Sequence, residues 1–145
     1  MPNVNKSALV NYSSDEMYQL VSNIDDYQEF LPWCGGSKIV KAEDDFVEAT
    51  VEIAHGSLKK SFTTHNVNTP GEKIAMSLVD GPFKSLDGNW YFQPLGESGC
   101  KVSLDLNFEF SNRLVAMAIG KVFNNIAGSL VDSFAKRAVE VYGKR

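Results

Sequence analysis

Apolar and polar side chains alternate without a break from Cys100 to Phe110. Val102, Leu104, Leu106, Phe108 and Phe110 take one parity; Lys101, Ser103, Asp105, Asn107 and Glu109 take the other. A period of two describes a strand with one buried face. From Leu114 the period changes to about 3.6: Val115, Ile119, Val122, Phe123, Ile126, Leu130, Phe134, Ala138 and Tyr142 predict a single helix running to about Tyr142. Between Leu114 and Val131 the only ionisable side chain is Lys121, and Gly120 and Gly128 fall inside the helix. Each such glycine costs about 1 kcal/mol relative to alanine, so close packing on a sheet, or room left for a ligand, is expected to compensate.

The elements before Cys100 follow from the same reading. Asn5–Tyr12 reads as a first strand. Ser13 and Glu16 form a capping box, and Met17, Leu20, Val21 and Ile24 follow at helical spacing. Tyr27, Phe30 and Leu31 continue that spacing until Pro32 stops it. After Gly35-Gly36 the chain alternates again. Ser37–Glu43 and Phe46–Ala54 flank an Asp44-Asp45 turn, and Leu58–Asn68 is a weaker strand. Lys73–Asp80 and Phe83–Phe92 meet at Gly81-Pro82, and Pro94 to Gly99 reads as a loop. One-sided alternation implies an antiparallel sheet with a single buried face. The terminal helix is its cover, and a curved sheet gripping that helix leaves a tunnel between them. The chain shows no linker or repeat, so residues 1–145 form one domain.

Composition narrows the function. The 145 residues are 43% apolar and 22% charged, with a formal net charge of -4, ordinary for a globular domain. That charge argues against binding free DNA through dispersed phosphate contacts. The N-terminus lacks the apolar core of a signal peptide, and no run of about 18 apolar residues is present. Cys34 and Cys100 stand alone, so two reduced thiols in a cytoplasmic protein are expected. His55 and His65 have no ligand partners at suitable spacing, which predicts no metal site. No residue pattern nominates a nucleophile with its base, and the inward strand parity carries almost no acids.

Two apolar constellations remain. Phe30-Leu31-Pro32-Trp33-Cys34-Gly35-Gly36 joins the helices to the sheet and reads either as a hydrophobic plug or as the rim of a cavity mouth. Gly81-Pro82-Phe83 leads into Leu86, Gly88, Trp90 and Phe92, where a mid-strand glycine signals a bulge or a close approach.

These two segments, Phe30-Leu31-Pro32-Trp33-Cys34 and Asp80-Gly81-Pro82-Phe83-x-x-Leu86-x-Gly88-x-Trp90-x-Phe92, together with the long terminal helix, resemble the coenzyme Q-binding START-like family. The resemblance covers nearly the whole chain. It implies an α+β helix-grip fold: a curved antiparallel sheet of about seven strands around the C-terminal helix, with two short helices after strand 1. It also implies two activities. Members bind ubiquinone in a hydrophobic tunnel in support of respiration, and toxin members bind the large ribosomal subunit and block subunit joining. Enzymes of the cyclase and hydrolase kind use the same fold.

The expected activity is therefore non-enzymatic binding of ubiquinone or a related isoprenoid lipid. No cofactor is required, and ubiquinone is the bound ligand to look for. Cavity residues expected from strand parity and helix face are Trp33, Phe83, Trp90, Phe92, Phe108, Val115, Ile119, Val122 and Phe123. The alternative, ribosome docking, has Lys121, Lys136, Arg137, Lys144 and Arg145 as its expected surface, with Lys59 and Lys60 as a second patch. Transient contact with a membrane surface, peripheral to the inner membrane, would go with lipid capture.

Overall fold

The computed structural model describes residues 3–145. Its order is β1 (Asn3–Val10), α1 (Ser14–Ser22), a 3₁₀ turn (Ile24–Asp26), α2 (Tyr27–Phe30), β2 (Cys34–Ala42), β3 (Val47–His55), β4 (Leu58–Thr69), β5 (Lys73–Asp80), β6 (Phe83–Leu95), β7 (Gly99–Phe110) and α3 (Arg113–Tyr142). All pairings are antiparallel, in the order β1-β7-β6-β5-β4-β3-β2. The sheet curves around α3, the helix-grip arrangement that the sequence implies.

The local chemistry explains where elements start and stop. The Ser13 hydroxyl accepts from the Glu16 backbone N–H at 3.1 Å, and the Ser13 N–H donates to Glu16 Oε1 at 2.9 Å, the capping box read from the sequence. The Asn112 carboxamide oxygen accepts from Val115 N–H at 2.9 Å and starts α3. The first strand begins and ends two residues earlier than Asn5–Tyr12, because Tyr12 leaves it to turn inward. There it is buried, and its hydroxyl donates to the Gly143 carbonyl at 2.7 Å. β2 begins at Cys34, not at Ser37. Gly35-Gly36, read as a turn, lies within the strand at a register shift against β3, and bulges of this kind bend a sheet. β6 runs on to Leu95 through Pro94. Pairing with β5 ends at Tyr91, so the missing N–H of Pro94 faces no partner strand.

Gly88 owes its place to β7. A Cβ there would stand 2.5 Å from the Asp105 carbonyl oxygen and 3.0 Å from Leu106 Cα, so the close neighbour is the adjacent strand. By contrast, a Cβ on Gly120 would make ordinary contact with Phe110 at 3.5 Å, and one on Gly128 would meet nothing within 4 Å.

The concave face and α3 share one large core containing Met17, Val21, Trp90, Leu104, Phe108, Phe123 and Phe134. The buried positions of α3 begin at Ile119 and continue through Phe123, Ile126, Ala127, Val131, Phe134 and Ala138. Its first turns are different: Leu114 and Met117 are 78% and 76% exposed. By length and composition α3 could cross a membrane, but its buried side chains are taken up by the sheet.

Candidate functional site

Between the sheet and α3 lies a cavity in which the centre of a water-sized sphere can move through about 90 Å³. One water needs about 10–15 Å³ on this measure, so the space suits a group of several heavy atoms. Its wall comes from every layer of the fold. α3 contributes Phe123, Ile126, Ala127, Leu130 and Phe134, the i, i+3, i+4, i+7 and i+11 positions of one face. β3 contributes Ala49, Val51 and Ile53, and β4 contributes Phe62, Thr64 and Asn66, each at a period of two. Met76, Leu86, Trp90, Leu104 and Leu106 complete the sheet side, while Ile24, Tyr27 and Trp33 close it from the helical segment.

Three of the nine residues expected on the wall are there: Trp33, Trp90 and Phe123. The other six lie elsewhere in or beside the core. Phe83 and Phe108 pack with Phe110 on Phe123, with ring centroids 4.9 and 4.8 Å from Phe123 for Phe83 and Phe108, and fill one end of the fold with aromatic rings. Phe92 is buried edge-on against Tyr18 at 5.8 Å, under α1. Ile119 is buried and Val115 and Val122 are half-buried, but none reaches the cavity. Gly120 is not on the wall either. The segment Phe30–Gly36 divides between the two roles proposed for it: Leu31 and Cys34 are core, whereas Trp33 borders the cavity.

Sixteen of the nineteen wall residues fall outside the expected set, and Thr64 and Asn66 are the least legible of them. Their parity was available, since they alternate with Phe62, but polar side chains on a weak strand look like a solvated face. Both are buried. The opposite parity is the outer face, where Thr50 and Thr63 hydroxyls lie 2.7 Å apart and His65 bonds Glu48 at 3.0 Å while stacking on Phe46.

The wall carries no carboxylate, imidazole, amine or guanidinium. Its one titratable group is the Tyr27 phenol, which donates to the Val21 carbonyl and whose pKa is pushed well up, chiefly by burial. The two cysteines lie off the wall. Burial raises both thiols, Cys100 to about 11, so neither is a ready nucleophile. Among the described residues no cluster of three or more His, Cys, Asp or Glu could hold a metal.

The basic residues do not form one patch. Lys121, Lys136 and Lys144 are exposed, but Lys121 and Lys136 stand roughly 22 Å apart along α3 at 1.5 Å per residue. Arg137 pairs with Glu140 at 3.3 Å and covers the Phe30 ring at 4.7 Å. Arg145 pairs with Glu16 at 2.7 Å and lies over Tyr12 and Tyr142. Both arginines therefore fasten α3 to α1 and α2. Lys59 and Lys60 are exposed on β4.

Known proteins share this architecture. The ribosome association toxin RatA of Vibrio cholerae is 46% identical over 144 residues, covering 99% of this chain and all of that one. A mitochondrial coenzyme Q-binding protein, COQ10 homolog B of Xenopus laevis, is 26% identical over 97% of this chain and 59% of its own length. The solution structure of an 18 kDa protein from Caulobacter crescentus superposes with a TM-score of 0.77 at 27% identity, covering 99% of this chain and 100% of that one. The model of polyketide cyclase / dehydrase and lipid transport proteins matches residues 10–135, and the chain belongs to that family.

Proposed function

We propose that the chain is a non-enzymatic binding protein that captures an apolar ligand, an isoprenoid quinone or a related lipid, in the cavity under α3. The observation that carries this reading is the character of the wall: apolar on all sides, with a few neutral polar groups and no charged one. Each buried CH₂ contributes about 0.8 kcal/mol, so a ring and its first isoprene unit supply useful affinity without a charge. The same wall offers no general acid/base pair, which the cyclases and dehydrases of the family description would need for proton transfer. Native mass spectrometry of gently purified protein, followed by titration with ubiquinone, tests the reading. Finding neither a co-purifying lipid nor binding of added quinone would refute it.

A second reading, association with the large ribosomal subunit, is favoured by a different observation. The relative named for ribosome association is 46% identical over its full length, against 26% for the coenzyme Q-binding relative. The two activities use different parts of one domain, the interior and the surface. A net charge of -4 still permits docking through a local basic surface, and phosphate contacts make such binding fall steeply with salt. Co-sedimentation with large subunits across a salt series tests it. The informative variant is Lys136→Glu with Lys144→Glu, because Arg137 and Arg145 also hold the fold together. Loss of salt-sensitive co-sedimentation in that variant, with quinone binding intact, is the expected result. Absence of the wild type from the subunit peak at low salt would refute docking. Both readings are compatible with a cytoplasmic protein, the first with transient contact at the membrane surface where its ligand dissolves.

A further inference from the structure

Two residues of the cavity wall each carry a buried polar atom without a hydrogen-bond partner, Asn66 Oδ1 and Trp33 Nε1. Asn66 is only 4% exposed. Strand parity sends its side chain inward with Phe62 and Thr64, between backbone pairings to Val47 and Met76. Buried polar groups are ordinarily paired, and leaving one unpaired is costly. In a wall whose other polar groups are only the Thr64 hydroxyl and the hydrogen-bonded Tyr27 phenol, two such atoms call for a complement from a ligand.

Their chemistry defines the complement. An indole N–H only donates, so Trp33 calls for an oxygen that accepts. A carboxamide serves both ways: it donates through Nδ2 to a carbonyl, or accepts through Oδ1 from a hydroxyl. A ring that carries carbonyl oxygens when oxidised accepts from Trp33 Nε1 and from Asn66 Nδ2, and once reduced its hydroxyls also donate to the unpaired Asn66 Oδ1. An isoprenoid chain satisfies neither. The space agrees, since about 90 Å³ accommodates a substituted ring and not a long polyprenyl tail.

We propose that the cavity holds the head ring of the quinone, that Asn66 and Trp33 are its polar recognition residues, and that the isoprenoid tail leads outward. This inference rests on the apolar-capture reading above and adds to it the orientation and the residues that choose the ligand. A headless lipid of the same length is then a poor ligand, because it leaves both polar atoms unpaired.

The test compares a short-chain ubiquinone with farnesane, an isoprenoid hydrocarbon that has no head group, by isothermal titration against the wild type, Asn66→Leu and Trp33→Phe. Losing one buried hydrogen bond is worth about a tenfold change in affinity. Asn66→Leu should therefore weaken ubiquinone about tenfold, while farnesane binds the variant as well as or better than the wild type. Trp33→Phe should weaken ubiquinone alone in the same way. Ligand-free Asn66→Leu should melt no lower than the wild type, since an unpaired polar group is replaced by an apolar one of similar size. If that variant fails to fold, Trp33→Phe decides alone. Ubiquinone affinity unchanged in the folded variants, or both ligands weakened equally, overturns the head-in assignment. Wild type that binds farnesane but not ubiquinone overturns it too and leaves apolar capture standing. Wild type that binds neither overturns both.

Discussion

Phe134 is the side chain on which cavity and core most depend. It is fully buried, and three aromatic rings meet it edge-on: Tyr27 at 5.3 Å, Trp90 at 5.4 Å and Phe30 at 5.5 Å. Truncating a buried phenylalanine to alanine costs about 3–5 kcal/mol, and aromatic pairs add about 0.5–1.5 kcal/mol each beyond area burial. These ranges overlap, because part of the pair energy is already in the truncation figure. For Phe134→Ala we expect a loss of about 4–5 kcal/mol, a large part of the roughly 5–15 kcal/mol that holds a domain of this kind together. At about 2–4 °C per kcal/mol, the melting temperature should fall by roughly 10–15 °C. The side chain removed borders the existing cavity, so the variant also has a larger apolar hole. Benzene or indole should occupy it and recover part of the loss in proportion to the logarithm of its concentration. Urea denaturation with and without benzene measures both effects. A loss under about 2 kcal/mol would refute the reasoning, since it would mean that the wall collapses into the space. A normal loss without rescue by benzene would show that the cavity is wet.

Three further outcomes are expected. Gly128→Ala should stabilise the protein by about 0.5–1 kcal/mol by thermal denaturation, because the new methyl group meets nothing within 4 Å and helix propensity improves. Native Cys100 should react with a thiol reagent at pH 8 at least about 100-fold more slowly than in the unfolded chain, because burial holds its pKa near 11 and only the thiolate attacks. The Glu16 carboxyl is held below its ordinary 4.5, chiefly by the hydrogen bond from Arg145. A carboxylate with a lowered folded pKa contributes stability that is present above its unfolded pKa and lost as pH falls through the folded one. The stability difference between wild type and Arg145→Ala should therefore be constant from neutral pH to about 5 and shrink on further acidification; a difference that grows in acid would overturn the assignment.

The parts of the fold visible in the sequence are those in which one residue decides one thing. The strict alternation of β7, the Ser13–Glu16 box and the spacing of α3 each fix an element from its own side chains. Boundaries drifted where a distant partner decides them. Tyr12 turns inward for Gly143, and β6 outruns Pro94 because β5 has already ended. The cavity was harder to read for a related reason. Parity says that Phe92 and Phe108 point inward, and they do, but a void is whatever the opposite wall leaves unfilled. Phe108 is covered by Phe123 and Phe92 by Tyr18, while Trp90 and Leu104 face the gap. Thr64 and Asn66 were on the page as letters of the inward parity, and their polarity concealed them. Leu114 and Met117, apolar but outside the predicted buried stripe, are exposed in the fold.

The pairing of β1 with β7 sets the order in which this chain can be made. β2 to β7 form a meander of neighbours, each hairpin available as soon as its second strand emerges from synthesis. β1 has no such neighbour. It lies against β7 in a register that joins Asn3 to Asn107, so the first strand made must wait for the last one. The same delay applies to α1, whose Glu16 and preceding Tyr12 are fastened to Arg145 and Gly143 at the far end of the chain. A nascent chain halted before β7 leaves its N-terminal strand unpaired, and losing the last three residues unties the opposite end of the same clasp. Closure of the sheet thus waits for β7, and the contacts of Tyr12 and Glu16 wait for the residues that follow α3.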